Sequence, residues 1–410
     1  MKENTRIAFI DGLRGYAALG IFLIHVGGLV FRPISPYFDK LVEIGKDGVI
    51  VFFFISAISI CLKIDGAIKF DYKKYLMKRY TKLASLYYVI IGIAVILFWI
   101  VNKTWYTKNM GDLISHLTFT NLDFINPIAQ TSILEVEWTM PIIFWFYLLI
   151  PLLYKLGKWN IVAMTICTIG SVVLYFHEDV IGKWYAFNPS LGERGSPLTY
   201  LFTYLFAVTI FWLYKEREIF KRINWKSLLY IVSFTGIISS ILLHSHDFQL
   251  KLIYLFLVSF LYIFFIKPNL ISWKSTKLKN ILFSIESISI LGIFFYFMVN
   301  RYFDHVPVVT LYLGLFIYSN LLYTPDVIKI LFENKIIRFL GSISYALYLV
   351  HFIIASYYDR WTSGIFQQVH IRFFLLLILS VSVSYVFTRY NTIWHNRFMK
   401  IGSSQNFEKM

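Results

Sequence analysis

Twelve stretches of this chain are apolar for long enough to cross a hydrocarbon layer or nearly so, and no other sequence feature constrains its fold as tightly. A spanning helix needs roughly 20 mostly apolar residues, because no water is present in the bilayer core to satisfy backbone polar groups. The runs lie at 7–30, 48–62, 83–101, 138–154, 160–176, 198–214, 227–243, 250–266, 281–299, 308–324, 339–357 and 371–389. They predict an all-α polytopic transmembrane bundle of about 12 spans, with ten as the alternative count. Run 48–62 is short enough to be tilted or re-entrant, and run 281–299 carries Glu286. With 58% of residues hydrophobic and 15% charged, soluble, disordered, fibrous and disulfide-scaffold classes are excluded. Cys61 and Cys167 both sit in apolar stretches, so no disulfide framework is implied. The first run is too long for a cleavable signal peptide and lacks a small-residue cleavage site.

The net charge of +16 follows the topology. With the N-terminus in the cytoplasm, the inside segments hold 27 Lys and Arg and the outside segments 11, whereas the acids number 8 inside and 13 outside. That asymmetry is the positive-inside pattern, and it predicts both termini in the cytoplasm. The basic charge is thus no nucleic-acid footprint, and the expected surroundings are a lipid bilayer. The longest outside loop, about 102–137, is polar and aromatic and could cap an external cleft. No half of the chain repeats the other, a pattern that would have favoured a transporter.

Ionisable side chains inside a span cost about 2.5–3.5 kcal/mol each on insertion scales, so they mark functional candidates. The first span carries Asp11, Arg14 and His25. Arg14 and His25 are eleven residues apart, which on a straight helix leaves them about 20° apart around the axis and about 16 Å apart along it. Asp11 falls about 40° to one side. Small residues between them, Gly12, Gly15, Ala17, Ala18 and Gly20, would let another helix or a ligand approach closely. The pair suits a reaction served from two sides. A cation near the inner face can hold an anionic donor, and a neutral imidazole deeper in can take a proton from a hydroxyl. The plainer alternative is an arginine reaching for the interface and a histidine bonded to a neighbouring helix. In the eleventh run Ser344, Tyr348 and His351 share one stripe with Tyr345 at its flank, either lining a cavity or bonding to another helix.

Segment 63–82 holds seven basic residues, which read as a topology determinant, a phosphate-binding apron, or both. Arg79, with Lys78 and Lys82, is its best-placed part. Glu135 and Glu137 precede Trp138 at the outer end of the fourth run, as ordinary loop acids or as groups that polarise a histidine or bind an acceptor. His244, His246 and Asp247 resemble a metal triplet only weakly, and no metal site is expected.

The stretch from Asp11 through Gly-Leu-Arg14-Gly to His25 closely resembles the opening of the acyltransferase-3 family of integral-membrane acyltransferases, in which a histidine follows the arginine by eleven residues. Four further segments agree in order. Gly48-Val-Ile-Val-Phe52-Phe53-Phe-Ile-Ser56-Ala57 is similar to the family's G-V-x-x-F-F-x-x-S-G, with Ala57 in place of Gly. Tyr75-Leu-Met-Lys-Arg79 resembles its basic lead into the third span. Trp138-Thr-Met with Phe146-Tyr147-Leu-Leu-Ile-Pro151 resembles W-S-L followed by F-Y-L-L-x-P. Gly341-Ser-Ile-Ser344-Tyr345-Ala-Leu-Tyr348-Leu-Val-His351 is similar to G-x-I-S-Y-x-L-Y-L-x-H. Two departures stand out. Ile143 occupies the position, four residues before Tyr147, where the family usually has Glu. The family core is usually described with ten spans, so 268–330 is where an extra pair could lie.

The resemblance implies one transmembrane acyltransferase domain over 1–390, followed by a short cytoplasmic tail at 391–410. It implies transfer of an acyl group, most often acetyl, from acyl-CoA on the cytoplasmic side to a hydroxyl of a cell-surface polysaccharide or its lipid-linked precursor. Acyl-CoA would be a substrate, with no permanently bound cofactor, and the membrane would be a bacterial cytoplasmic one. Carried onto this chain, His25 would be the general base. Arg14, Arg79 and Lys78 would hold the donor's phosphates. Asp11, Ser56, Glu137, Trp138, Ser344, Tyr345, Tyr348 and His351 would line the acceptor or acyl path. A flippase for a lipid-linked sugar and a family member without chemistry are the competing expectations, the latter because of Ile143.

Overall fold

The computed structural model describes residues 7–28, 42–103, 110–120, 133–134, 136–176, 197–218, 275–300, 305–361 and 368–404, with single positions at Ser259, Ile263, Lys267 and Ile271. Among these every regular element is a helix. We label them α1 (Ala8–Phe22, continuing as a π turn over Leu23–Gly27), α2 (Gly48–Asp65, after a 3-10 turn at Ile44–Asp47), α3 (Tyr72–Asn102) and α4 (Met110–Thr118). Then come α5 (Thr139–Trp159), α6 (Ile161–Phe176), α7 (Pro197–Lys215) and α8 (Thr276–Asn300). The last are α9 (His305–Leu322), α10 (Asp326–Phe332), α11 (Lys335–Trp361) and α12 (Val369–Ser404).

Helices occupy ten of the twelve apolar runs; runs 227–243 and 250–266 fall outside the described residues, or nearly so, as does the triplet His244, His246 and Asp247. By length and composition, seven of the described helices can cross a membrane, and an eighth if α9 and α10 count as one broken span. Those two meet at 116°, where Pro325 ends the bend and opens α10. The short run at 48–62 reaches crossing length because the 3-10 turn extends α2 backwards to Ile44.

α3 begins where the Asp71 carboxylate accepts the Lys74 backbone N–H at 2.9 Å and ends at Lys103, whose φ of 58° lies in the left-handed region. Its 31 residues extend about 46 Å, more than a bilayer core needs, so its basic first turns stand clear of the apolar layer. The 102–137 loop contains α4, and Phe119 just beyond it is fully buried, stacked on Tyr87 and Phe144 at 5.4 and 5.0 Å. Phe119 therefore packs against the middle of α3 and the first turns of α5.

α1 is the central strut. Glycines allow its backbone to touch α10, α11 and the turn before α2 directly. A Cβ on Gly341 would lie 2.0 Å from the Asp11 carbonyl oxygen, and one on Gly12 would lie 1.9 Å from the Phe332 carbonyl oxygen. Tyr16 fixes the same contact by donating to the Leu331 carbonyl at 3.1 Å while its ring meets Phe332 edge-on at 5.1 Å.

Glu286 is buried with a partner. Its carboxylate lies 3.0 Å from the fully buried Lys267 ammonium and accepts from Ser319 of α9 at 2.5 Å. Lys267 also donates to the Ser319 hydroxyl at 2.5 Å. The acid that weakened the apolar signal of run 281–299 is thus neutralised by a lysine at the end of the preceding run.

Gly341→Ala forces backbones apart and should lower the thermal stability of the detergent-purified protein by about 1–3 kcal/mol, read from its unfolding midpoint. Glu286→Leu alone strands Lys267 in an apolar interior and should cost about 3–5 kcal/mol, whereas the Glu286→Leu/Lys267→Met double variant should regain most of that loss.

Candidate active site

α1, α2, α3, α5, α11 and α12 enclose a cavity of about 590 Å³. It follows α2 from Lys63 to Val49, fourteen residues or about 21 Å of helix, so it penetrates most of a bilayer's thickness.

One end of the cavity is basic. Arg14, Lys63, Arg79, Lys82 and Arg389 converge there from four helices. Arg14 is braced on both sides, donating to Asp11 at 3.1 Å and to the Ser59 hydroxyl at 2.7 Å. Asp11 is 2% exposed and does not itself line the cavity, so it acts on the site through Arg14. The Arg79 guanidinium lies over the rings of Tyr75 and Tyr147, 5.5 and 5.4 Å from their centroids, which fixes a cation while leaving its N–H edge for a ligand. Lys78 is exposed and points elsewhere, whereas Lys63 and Arg389, not singled out from the sequence, complete the basic ring. α12 continues as helix to Ser404, into the segment expected as a tail, and Asn391 and Thr392 line the same mouth. Asn391 ties α12 to α3 through Ser85 and the Lys82 carbonyl.

Ser56, Ser344 and Tyr345 line the middle, with Tyr345 donating to the Leu83 carbonyl at 2.6 Å. Ile143 is on the wall beside Tyr147, so the position where the family usually has Glu presents an apolar face to the cavity. Glu137 does not replace it. That carboxylate is 1% exposed and accepts the backbone N–H groups of Ile133 and Leu134, holding the turn that leads into α5. Glu135 lies outside the described residues. Trp138 is also off the cavity, its ring 5.9 Å from Tyr200.

The far end closes on Phe52, Thr139 and Tyr348. His25 and His351 lie beyond it. They meet at 2.9 Å, Nδ1 of His25 to Nε2 of His351, with ring centroids 5.0 Å apart. The tautomers follow from the next bond along. His351 Nδ1 sits 2.9 Å from the Leu347 carbonyl, which can only accept, so His351 carries its proton on Nδ1. Its Nε2 is then the acceptor for His25 Nδ1–H, and the basic lone pair of the couple resides on His25 Nε2.

The expected single path shared by Arg14 and His25 is therefore divided. Arg14 lines the cavity, and His25 stands one layer behind its floor. The π turn at Leu23–Gly27 departs from a straight helix: the Gly28 N–H faces the His25 and Leu23 carbonyls, three and five residues back, and His25 within this widened turn meets His351 of α11.

A family model described as "Acyltransferase domain", that of acyltransferase-3, matches residues 7–285. A protein of Acidianus two-tailed virus named "Putative acetyltransferase ORF330" is 26% identical over 168 residues, which are 40% of this chain. The matched part spans 46%, about half, of that relative's length. No solved structure matches the chain. The family match covers well over half of the sequence, including Arg14, His25 and most of the cavity wall, and the chain belongs to the acyltransferase-3 family of acyl-transferring enzymes.

Proposed function

We propose that this protein transfers an acyl group, acetyl foremost, from acyl-CoA to a hydroxyl of a surface polysaccharide or of its lipid-linked precursor. The observation that carries the reading is the basic cavity end. Five cationic side chains line a single cavity that, among the described residues, no carboxylate lines. A partly desolvated cluster of like charge calls for a polyanion, and the diphosphate and ribose phosphate of a coenzyme A thioester supply one. The positive-inside charge distribution turns this end toward the cytoplasm, where acyl-CoA is made. A cavity about 21 Å long then accommodates the extended arm of the donor, with the thioester toward Thr139 and Tyr348.

In this reading His25 Nε2 takes the proton of the acceptor hydroxyl as its oxygen bonds to the thioester carbonyl carbon. The C–S bond breaks, and the departing thiolate recovers the proton from the imidazolium. His351 keeps the base in the productive tautomer through its own bond to Leu347. Arg14 and Arg79 bind phosphate, each pre-oriented by its braces. Glycan class, membrane identity and acetyl as the acyl group rest on the family resemblance. Ile143 on the cavity wall is the observation on the side of a member without chemistry, so the first experiment is an assay of labelled acetyl transfer from acetyl-CoA on membranes containing the protein. Transfer to glycan establishes the reaction, and its absence with intact protein defeats it.

His25→Ala should remove about 10²–10⁴ of the transfer rate with protein abundance unchanged, as measured against an immunoblot of the same membranes. Arg79→Leu should raise the KM for acetyl-CoA about tenfold or more while affecting kcat far less, because it removes a contact made equally in the ground and transition states.

A further inference from the structure

The donor cavity stops short of the imidazole pair, and the Tyr348 side chain meets both the cavity and His351. The Tyr348 ring forms part of the cavity floor with Phe52, 6.4 Å away, and on its other side lies 6.2 Å from the His351 ring. Its hydroxyl is tied down twice. It donates to the Val136 carbonyl at 2.5 Å and accepts from the Thr139 hydroxyl at 2.9 Å. Val136 belongs to the turn that the Glu137 carboxylate organises through backbone N–H groups, so the anchor is itself anchored. Only α11 contributes both the gate position and His351, one helical turn apart.

We infer that Tyr348 is a gate between the donor and the base. It is a positioning residue that keeps a bound thioester shielded from His25 until the acceptor is in place. The inference rests on the proposed donor site and on His25 as base. In this arrangement the held ring keeps water activated by His25 away from the thioester. With the ring displaced and no acceptor present, water takes the acceptor's place. Its proton goes to His25 Nε2, its oxygen bonds to the carbonyl carbon, the C–S bond breaks, and the thiolate regains the proton. The products are a carboxylic acid and free coenzyme A, with nothing else consumed.

Tyr348→Phe keeps the ring and deletes both anchors; Thr139→Val deletes one of them and leaves the tyrosine intact. Purified proteins in nanodiscs are given acetyl-CoA alone, free thiol is followed with a chromogenic disulfide, and acetyl-CoA binding is measured by calorimetry. Losing a hydrogen bond of this kind shifts a two-state population by about two- to tenfold, so each variant should release thiol faster than wild type by about that factor. Adding His25→Ala to Tyr348→Phe should return the rate to that of His25→Ala alone, a dependence that mere loosening of the structure does not produce. Wild-type rates of thiol release in both variants, with acetyl-CoA still bound, overturn the gate and leave the donor site standing. Excess release that persists without His25 overturns it as well. Failure of the wild-type protein to bind acetyl-CoA removes the donor reading and the gate together.

Discussion

The direct backbone contact between α1 and α11 is the constraint on which the rest of the structure depends. Where Gly341 meets the Asp11 carbonyl, and Gly15 meets the Ile337 carbonyl, the two helices come close enough to set Arg14 at the edge of the cavity and His25 against His351. A side chain at either glycine would separate the two polar stripes by the width of a methyl group, and hydrogen bonds of 2.9 Å do not survive such a shift. In lipid the hydrophobic effect does not drive helices together, so close packing and interhelical hydrogen bonds must do it. This bundle uses both at the same place.

Buried charge is handled differently in its two halves. Around Lys267, Glu286 and Ser319 each group finds its partner and the cluster is sealed, as expected of a device that selects one helix arrangement over others. Around Arg14, Arg79 and Lys82 the cations share a cavity wall, and their braces are a buried acid, a hydroxyl and aromatic rings. The first arrangement spends its electrostatics on the fold. The second sets them along a cavity wall, where the proposed reading has them meet the phosphates of the donor.

Much of this was legible in the sequence, for reasons that are physical. Apolar runs announce spanning helices because lipid leaves the backbone no other partner, and the small residues around Arg14 announce the close approach of another helix or a ligand, which in the structure is α11. Of the stripe Ser344, Tyr348 and His351, the first two line the cavity with the flanking Tyr345, whereas His351 lies beyond its floor. What escaped was whatever depends on distant parts of the chain or on departures from a regular helix. Lys63 is only one of seven basic residues in segment 63–82 and Arg389 one more charge beyond the last run, and nothing local shows that their helices converge on one mouth. Glu137 serves its own turn's amides, a use that its neighbours in sequence do not advertise. Phe119 is deep in the bundle because the aromatic rings of α3 and α5 receive it, a tertiary fact.

The widened turn at Leu23–Gly27 gives the first helix one more residue than a regular spiral would need between its glycine-rich half and its imidazole. A segment wound in this way stores an alternative. Omitting one residue ahead of His25 would let the turn relax to ordinary α geometry and rotate that ring away from its partner, while the helix on either side kept its course. Spacing in this part of the chain thus works like the indexing pin of a dial: the number of residues, and not only their kind, determines which way the base faces.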